Sequence, residues 1–303
     1  NDGNISIQDL IQKLSLIEEV EFVEPNYIFD IGDVRIESIS NDKIQDLEEA
    51  SVNDPYYPEQ TSLTQANVDD VWDTYGTGDG SQIVAVLDTG VEYTHPDLAE
   101  NMWVNELEKN GIEGIDDDGN GYVDDIYGYD FINNDGDPFE DHYHGTHVAG
   151  IIAAVRDNDK GMNGVATNVK ILSVRAVPDG DERDKDVAMA FRYAVDNGAK
   201  VINTSFGKAY SPDKEWVYDA LKYAAENDVL IVNAAGNDAN NIDEVYTYPN
   251  DSKDLINEFS DNVITIGAMS ANWDENLPAS FSNYGKLNVD VFAPGVAIYS
   301  TFP

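Results

Sequence analysis

Residues 83–87 read Ile-Val-Ala-Val-Leu, a continuous apolar run without the polar alternation of a half-exposed strand. Runs of this kind are typical of β-strands that are buried on both faces, as in parallel sheets covered by helices. Similar runs recur at Val169 to Val177, Val201 to Asn203, Val229 to Val232, Val263 to Ile266 and Val289 to Phe292. We therefore predict one extended parallel sheet.

Two amphipathic helices are predicted between these strands. The first spans Asp186 to Asn197 and stops at Gly198. The second spans Asp213 to Asn227, with Ser211 as its N-cap and Pro212 at its first position. Strands that alternate with helices predict an α/β fold, a doubly wound parallel sheet with helices on both faces. In such folds the functional site lies at the carboxyl ends of the strands.

Polar residues stand at several of these strand ends. Asp88 directly follows the first apolar run, and Asn237 closes the small-residue stretch Asn233-Ala-Ala-Gly236. The segment Ser205-Phe206-Gly207 follows a third strand and could present its backbone to an extended ligand. Asp and Asn are also common turn residues, so a purely structural role is the plain alternative for Asp88 and Asn237.

A histidine stands at the start of a small, apolar helix. Residues 141–150 read Asp-His-Tyr-His-Gly-Thr-His-Val-Ala-Gly. Gly145 lowers helix stability, which makes sense if the helix must hold His144 while another segment approaches closely. A lone histidine is more often a structural or surface residue than a catalyst, so His144 needs support from elsewhere in the chain.

Four motifs supply that support. Val86 to Val91, His95 to Leu98, His144 to Gly150 and Ala234 to Asn237 together resemble the subtilisin-like serine proteases, nearest to their thermitase-like members. The resemblance covers about residues 52–303. It implies a subtilisin-like fold and peptide-bond hydrolysis through an acyl-enzyme.

The resemblance also implies a role for each site residue. His144 would be the general base and acid, and Asp88 would hold its tautomer and stabilise the imidazolium. Asn237 would donate a hydrogen bond to the oxyanion, and Ser205 to Gly207 would pair with the substrate backbone. His147 would be structural.

The family's nucleophile lies in a Gly-Thr-Ser-Met-Ala stretch, and Gly-Thr-Ser occurs nowhere in these 303 residues. Residues 298–303 resemble the family's segment shortly upstream of that serine, and Ser300 does not fit the motif. Three explanations stand: the serine lies on a further part or fragment of the protein, a second polypeptide supplies it, or the protein is non-catalytic. We expect the first, with the fold incomplete at its C-terminal end, before the nucleophile helix.

An acidic loop predicts a calcium site. Residues 116–125 read Asp-Asp-Asp-Gly-Asn-Gly-Tyr-Val-Asp-Asp, which is the beginning of an EF-hand-type loop, although Tyr127 replaces the glutamate at position twelve. The alternative is a bare solvated loop. The predicted ligands are the side chains of Asp116, Asp118 and Asn120, the carbonyl of Tyr122, and Asp124 or Asp125.

The family resemblance implies a second calcium site. Asp54 matches a ligand near the mature N-terminus of thermitase-like members, and Asp97 and the loop from Val155 to Asp159 match the rest. Within that loop Val155 and either Asp157 or Asp159 would bind the ion.

Residues 1–50 differ from the rest of the chain. Ile7 to Ile17 predicts a short helix, Val20 to Ile28 an exposed strand, and residues 33–50 an acidic linker. The resemblance implies that residues 1–50 are the C-terminal part of an inhibitory propeptide, followed by a peptidase domain at 51–303. Maturation cleavage would fall between Ile28 and Asn53.

Charge and composition argue against several classes of function and partner. The chain has 59 acidic and 17 basic residues, a net charge of -42, and no cysteine. Such a surface argues against nucleic-acid and anionic-membrane partners and favours cations and high ionic strength. Disulfides are excluded, and no stretch approaches the roughly 18–20 apolar residues of a membrane span.

We therefore expect a secreted, calcium-dependent, subtilisin-like serine endopeptidase that acts on proteins or peptides. Its further partners would be its own propeptide and a C-terminal fragment carrying the nucleophile. The alternative is a non-catalytic pseudoprotease or a calcium-stabilised binding module. A metal hydrolase using His142, His144 and His147 is a weaker alternative, because the glutamate of H-E-x-x-H is absent.

Overall fold

The computed structural model describes residues 52–139, 142–178, 182–270 and 277–303. Within these residues seven strands form one parallel sheet, in the order β2-β3-β1-β4-β5-β6-β7. The strands are β1 Ile83–Asp88, β2 Gly128–Asp130, β3 Lys170–Arg175, β4 Val201–Thr204, β5 Leu230–Ala234, β6 Val263–Met269 and β7 Val291–Pro294. The α-helices are α1 Thr61–Gln65, α2 Val68–Tyr75, α3 Glu106–Lys109, α4 Tyr143–Ala153, α5 Asp184–Asp196 and α6 Lys214–Glu226. Short 3₁₀ helices span Tyr57–Glu59 and Ala99–Asn101.

Helices cover both faces of the sheet, as the continuous apolar runs predict. Ala85 and Leu87 of β1 face the larger core, which they share with residues of α5 and α6. Val84 and Val86 point to the opposite face and pack against α4. The α/β, doubly wound prediction is confirmed.

The start of α6 differs from the prediction. The N-cap is Asp213 and not Ser211, so Pro212 precedes the helix. The reason is a buried contact: the Ser211 hydroxyl donates to Asp184 Oδ1 at 2.7 Å, and the backbone N–H of Asp213 donates to Asp184 Oδ2 at 2.9 Å. Ser211 is therefore held by α5 and does not cap α6.

The edge strand β7 also differs, because it begins at Val291 and not at Val289. The helix, strand and linker expected within residues 1–50 lie outside the described residues. Among the helices that are described, none combines the length and the apolar character needed to cross a membrane.

Candidate active site

Asp88 ends β1 at the carboxyl edge of the sheet and is 1% exposed. Its Oδ1 accepts a hydrogen bond from the backbone N–H of Thr89 at 2.7 Å and lies 2.6 Å from His144 Nδ1. The Thr89 hydroxyl oxygen in turn accepts from the N–H of Gly145 at 3.2 Å. Two contacts, Asp88 with His144 and Thr89 with Gly145, thus join the end of β1 to the first turn of α4.

His144 lies in the first turn of α4, where its ring is held on one side. His142 caps this helix, since its Nδ1 accepts from the backbone N–H of His144 at 3.3 Å. Burial lowers the pKa of His144, but the negative charge of Asp88 and the hydrogen bond to it outweigh burial, so that the pKa lies above its usual value. Because Nδ1 faces Asp88, Nε2 on the other side of the ring is left to exchange a proton with a substrate or nucleophile.

Gly145 makes this contact possible. A Cβ atom added to Gly145 would lie 2.0 Å from the carbonyl oxygen of Gly90 and 3.2 Å from Asp88 Cβ. The close approach expected from a glycine in this helix is confirmed. His147, one turn along the helix, has a pKa lowered by burial, in agreement with a structural role.

Convergence of ligand atoms would be needed for a metal site at His142, His144 and His147. His144 Nδ1 is bound to Asp88, and His142 Nδ1 accepts from the backbone. Within the described ranges no group of three His, Cys, Asp or Glu ligand atoms converges at these histidines. The geometry of the described residues therefore gives the metal-hydrolase alternative no support.

The segment Ser205-Phe206-Gly207 begins directly after β4 ends at Thr204. Phe206 is buried in the larger core, and Ser205 Oγ accepts from Asn203 Nδ2 at 2.9 Å. Lys208, next in the chain, exchanges backbone hydrogen bonds with Tyr248 at 2.9 and 2.8 Å. Since the Phe206 side chain is committed to the core, what this segment can offer a ligand is its backbone.

Asn237 follows β5 and is exposed. Leu87, Thr204 and Asn233 stand side by side on β1, β4 and β5. Neighbouring strands lie about 4.8 Å apart, so the ends of β1 and β5 are separated by roughly 10 Å. Asp88, the 205–207 segment and Asn237 thus emerge from adjacent strands at one edge of the sheet.

The predicted calcium ligands of the acidic loop fall into two groups, those whose oxygens converge and those that bind backbone N–H groups. One carboxylate oxygen each of Asp118, Asp125 and Glu108 lie within 4.8 Å of one another, and Asn120 Nδ2 donates to both aspartates. By contrast, the Asp116 carboxylate accepts from the N–H groups of residues 119, 120 and 121. The Asp124 carboxylate accepts from Gly114 N at 2.8 Å.

The converging oxygens have the chemistry of a calcium site, because Ca²⁺ prefers hard oxygen ligands. Asp125 is 0% exposed, and burial raises its pKa to about 6, although hydrogen bonds from Tyr193, Asn120 and Asn105 lower it. In the described residues no ion pair reaches Asp125, Asp118 or Glu108. The ring of Tyr122, a residue of this loop, packs edge-on against the ring of Tyr193, with centroids 4.8 Å apart.

Glu108 was not among the residues predicted from the sequence. It is 4% exposed, and its carboxylate accepts from the N–H groups of Asp117, Asp118 and Asp124 at 2.7, 3.0 and 2.9 Å. Glu108 stands out only through its burial in the short helix α3, and this burial is seen in the structure but not in the sequence pattern.

The second predicted calcium site brings its residues together differently. The buried carboxylate of Asp54 accepts from the N–H groups of Asp157 and Asn158 at 2.7 and 3.0 Å. Asp97, also buried, accepts from Asn158 Nδ2 at 2.7 Å, and its carbonyl accepts from Val155 N at 2.9 Å. Burial raises the pKa of Asp97, and the negative charge of Asp54 adds to this.

Asp157 and Asp159 contribute less to this second site. The Asp157 side chain is 49% exposed and lies 3.4 Å from Arg156 Nε, and Asp159 donates its N–H to Asn53 Oδ1 at 3.2 Å. Across the described residues, carboxylates of this region do not form a converging group of three.

A histidine oriented by a buried aspartate, at the carboxyl edge of a doubly wound parallel sheet, is the arrangement of Ser-His-Asp hydrolases built on α/β folds. Residues 79–302 match the Subtilase family, and the chain belongs to that family.

Named relatives agree with this assignment. The chain is 36% identical over 300 residues to a thermophilic serine proteinase of Bacillus sp. (strain AK1), covering 98% of this chain and 60% of the relative. It is 35% identical to thermitase of Thermoactinomyces vulgaris, covering 83% of this chain and 76% of thermitase. A solved protease structure from Pseudoalteromonas arctica matches with a TM-score of 0.63 and 28% identity, over 81% of this chain and 73% of that one. The chain thus spans less than two thirds of the Bacillus relative's length.

Proposed function

We propose that this chain belongs to a calcium-dependent, subtilisin-like serine endopeptidase that hydrolyses proteins or peptides. The observation that carries the proposal is the 2.6 Å contact between His144 Nδ1 and the buried carboxylate of Asp88. A buried carboxylate on Nδ1 fixes the tautomer whose Nε2 accepts a proton, and it stabilises the imidazolium that forms.

In the proposed reaction His144 Nε2 removes the proton from a serine hydroxyl as the serine oxygen attacks the scissile carbonyl. The same nitrogen then returns the proton to the leaving amine, which gives an acyl-enzyme and the first product. Water then attacks the acyl-enzyme while His144 takes a proton from the water. His144 returns that proton to the serine oxygen, and the second product is released. Asn237 donates its amide N–H to the oxyanion, and the backbone of residues 205–207 pairs with the extended substrate.

The nucleophile in this proposal is a serine outside residues 1–303. Its support is the absence of Gly-Thr-Ser from those residues and the course of residues 300–302. The hydroxyl of Ser300 donates to the carbonyl of His147, and that of Thr301 donates to the carbonyl of Thr146 at 2.6 Å. The Phe302 ring stacks on Tyr143, the neighbour of His144, with centroids 5.4 Å apart.

Calcium would bind at the acidic loop, through Asp118, Asp125 and Glu108, and at the site of Asp54 and Asp97. The ion's contribution is structural, since it neutralises buried carboxylates and ties loops together in a chain without cysteine. Neither site supplies a group to the proposed hydrolysis.

Residues 1–50 would be the end of an inhibitory propeptide, and the mature enzyme would act outside the cell. The similarity to the thermophilic serine proteinase supports the first part, because it covers 98% of this chain and so extends into residues 1–50.

The test of the proposed function is hydrolysis of a peptide p-nitroanilide by the full-length protein and two histidine variants. His144→Ala is expected to lower kcat by at least about 10³-fold. His142→Asn is the matched control, because asparagine preserves an N-cap acceptor and should leave kcat within a few-fold. Failure of the full-length protein to cleave any of a set of unrelated peptides would favour the non-catalytic binding module.

A further inference from the structure

Asn283 lies under the loop that carries Asn237 and is 0% exposed. Its Nδ2 donates to the carbonyl of Ala235 at 2.8 Å, and its backbone N–H donates to the carbonyl of Gly236 at 2.9 Å. On the other side of Asn237, Asn283 Oδ1 accepts from the N–H groups of Asp238 and Asn240 at 3.0 and 2.9 Å. One buried residue therefore binds the loop immediately before and immediately after Asn237.

The loop closes tightly around this amide. Gly236 has a φ of 101°, and a Cβ atom added there would lie 2.4 Å from Asn283 Nδ2. The residue that turns the chain toward Asn237 is thus in contact with the Asn283 side chain, and no larger residue fits between them.

Asn283 is itself fixed to the sheet. The carbonyl of Asn283 accepts from Ser282 Oγ at 2.8 Å, and Ser282 Oγ accepts from the N–H of Ala268 in β6 at 2.9 Å. The loop at the end of β5 is therefore attached to β6 through Ser282 and Asn283, as well as to β5 itself.

We propose that Asn283 is a positioning residue that sets the place of the Asn237 amide in the oxyanion site. The inference rests on the proposed function, in which Asn237 binds the oxyanion. A donor in such a site helps only if it is aimed where charge develops, and a displacement of about 1 Å can cost on the order of 100-fold in rate. The Asn237 side chain is exposed, but the backbone on both sides of it is held by Asn283. The position of the Asn237 amide donor therefore depends on a residue that does not touch the substrate.

The kinetic test is a double-mutant cycle in the full-length protein with a peptide p-nitroanilide. Asn283→Ala is expected to lower kcat about 10- to 100-fold with KM within about two-fold, since the group acts on transition-state binding. In an Asn237→Ala background the same change should lower kcat less than about three-fold, because the group it positions is already gone. Equal effects in both backgrounds would overturn the inference.

Asn288→Ala is the matched control. Asn288 is a half-buried residue whose side-chain amide, like that of Asn283, ties loops together: its Nδ2 donates to Asp243 Oδ1 at 2.9 Å and to the carbonyl of Leu255 at 3.1 Å. It should lower the melting temperature without a change in kcat. If Asn283→Ala does not fold, Asn283→Asp replaces it in the cycle, because it keeps the size and the acceptor but loses the bond to Ala235.

Hydrogen exchange separates this inference from the proposed function. Asn283→Ala should speed amide exchange at Asp238 and Asn240, and leave exchange at Lys286 and Leu287, whose N–H groups are bound by Asp243, unchanged. Unchanged exchange at 238 and 240 would overturn the inference whatever the activity. If Asn237→Ala does not lower kcat, the oxyanion role within the proposed function fails instead.

Discussion

Asp88 acts on His144 through both its charge and its hydrogen bond, and an amide in its place separates the two. Burial lowers the pKa of His144, and the Asp88 charge and hydrogen bond reverse that effect. Asp88→Asn should therefore lower the pKa of His144, because burial then dominates. It should also present an N–H or a neutral oxygen to Nδ1 and so disfavour the productive tautomer.

The expected result for Asp88→Asn is a loss of about 10⁴-fold in kcat, with the acidic limb of the pH profile moved to lower pH. The sign follows because the base must be neutral, and a lower pKa keeps it neutral to a lower pH. The measurement is kcat/KM against pH for both proteins. An acidic limb that moves to higher pH would contradict this account of the pair.

Gly145 lets the first turn of α4 lie close to the chain just after β1. Gly145→Ala places a methyl group 2.0 Å from the Gly90 carbonyl oxygen, so α4 must move away from β1. We expect a destabilisation of about 1–3 kcal/mol and a loss of activity larger than the loss of stability explains. Val148→Ala, in the same helix but without a clash, is the control. Calorimetry with kinetics measures both effects, and an unimpaired Gly145→Ala enzyme would contradict the close-approach argument.

Individual site residues differ in how visible they are in the sequence. Asp88 and His144 stand in motifs whose order along the chain predicts their meeting. Asn283 and Glu108 do not, because their partners are brought to them by the fold: Asn283 binds Ala235, 48 positions earlier. Polar residues that look like ordinary turn or surface residues acquire their roles only through such distant contacts.

Among the elements, the acidic loop between α3 and β2 carries the first of the two proposed calcium sites. Its carboxylates converge while Asp125 is completely buried, so Ca²⁺ binding should stabilise the folded state. At a Ca²⁺ concentration of about 100 times Kd the gain is about 2.7 kcal/mol, or roughly 5–10 °C for a domain of this size.

The test is the melting temperature with Ca²⁺ and with chelator. Asp125→Asn should remove most of the loop's share of the Ca²⁺-dependent increase. Glu113→Gln changes the same charge on an exposed residue of the same segment and should leave the increase intact. Identical Ca²⁺ responses of the two variants would mean that the ion binds elsewhere.

Strands and helices were predictable where apolar periodicity alone decides them. The run at 83–87 gives β1, and the pattern from 186 onward gives most of α5. The predicted start of α6 was wrong because the Ser211 hydroxyl bonds to Asp184, a buried aspartate on another helix. Local capping rules do not take account of such a distant partner. The strand order, with β1 between β3 and β4, depends on long-range pairing that the sequence pattern does not encode.

Across the whole molecule, the net charge of -42 produces a long-range electrostatic repulsion that opposes folding. Like charges repel one another in the compact state, and salt shortens the range of that repulsion from about 10 Å at 0.1 M to about 3 Å at 1 M. Stability should therefore rise with NaCl between these concentrations. Melting curves in constant, saturating Ca²⁺ separate this screening from specific binding. A melting temperature that falls with added NaCl would contradict it.

His144 and Asp88 are proposed to serve a serine nucleophile located outside residues 1–303. The most direct measurement is to label the full-length protein with a fluorophosphonate and to identify the modified residue by peptide mapping. We expect one labelled serine outside residues 1–303, and loss of the label in His144→Ala. A label on Ser205 or Ser300, or a folded full-length protein that never labels, would contradict it.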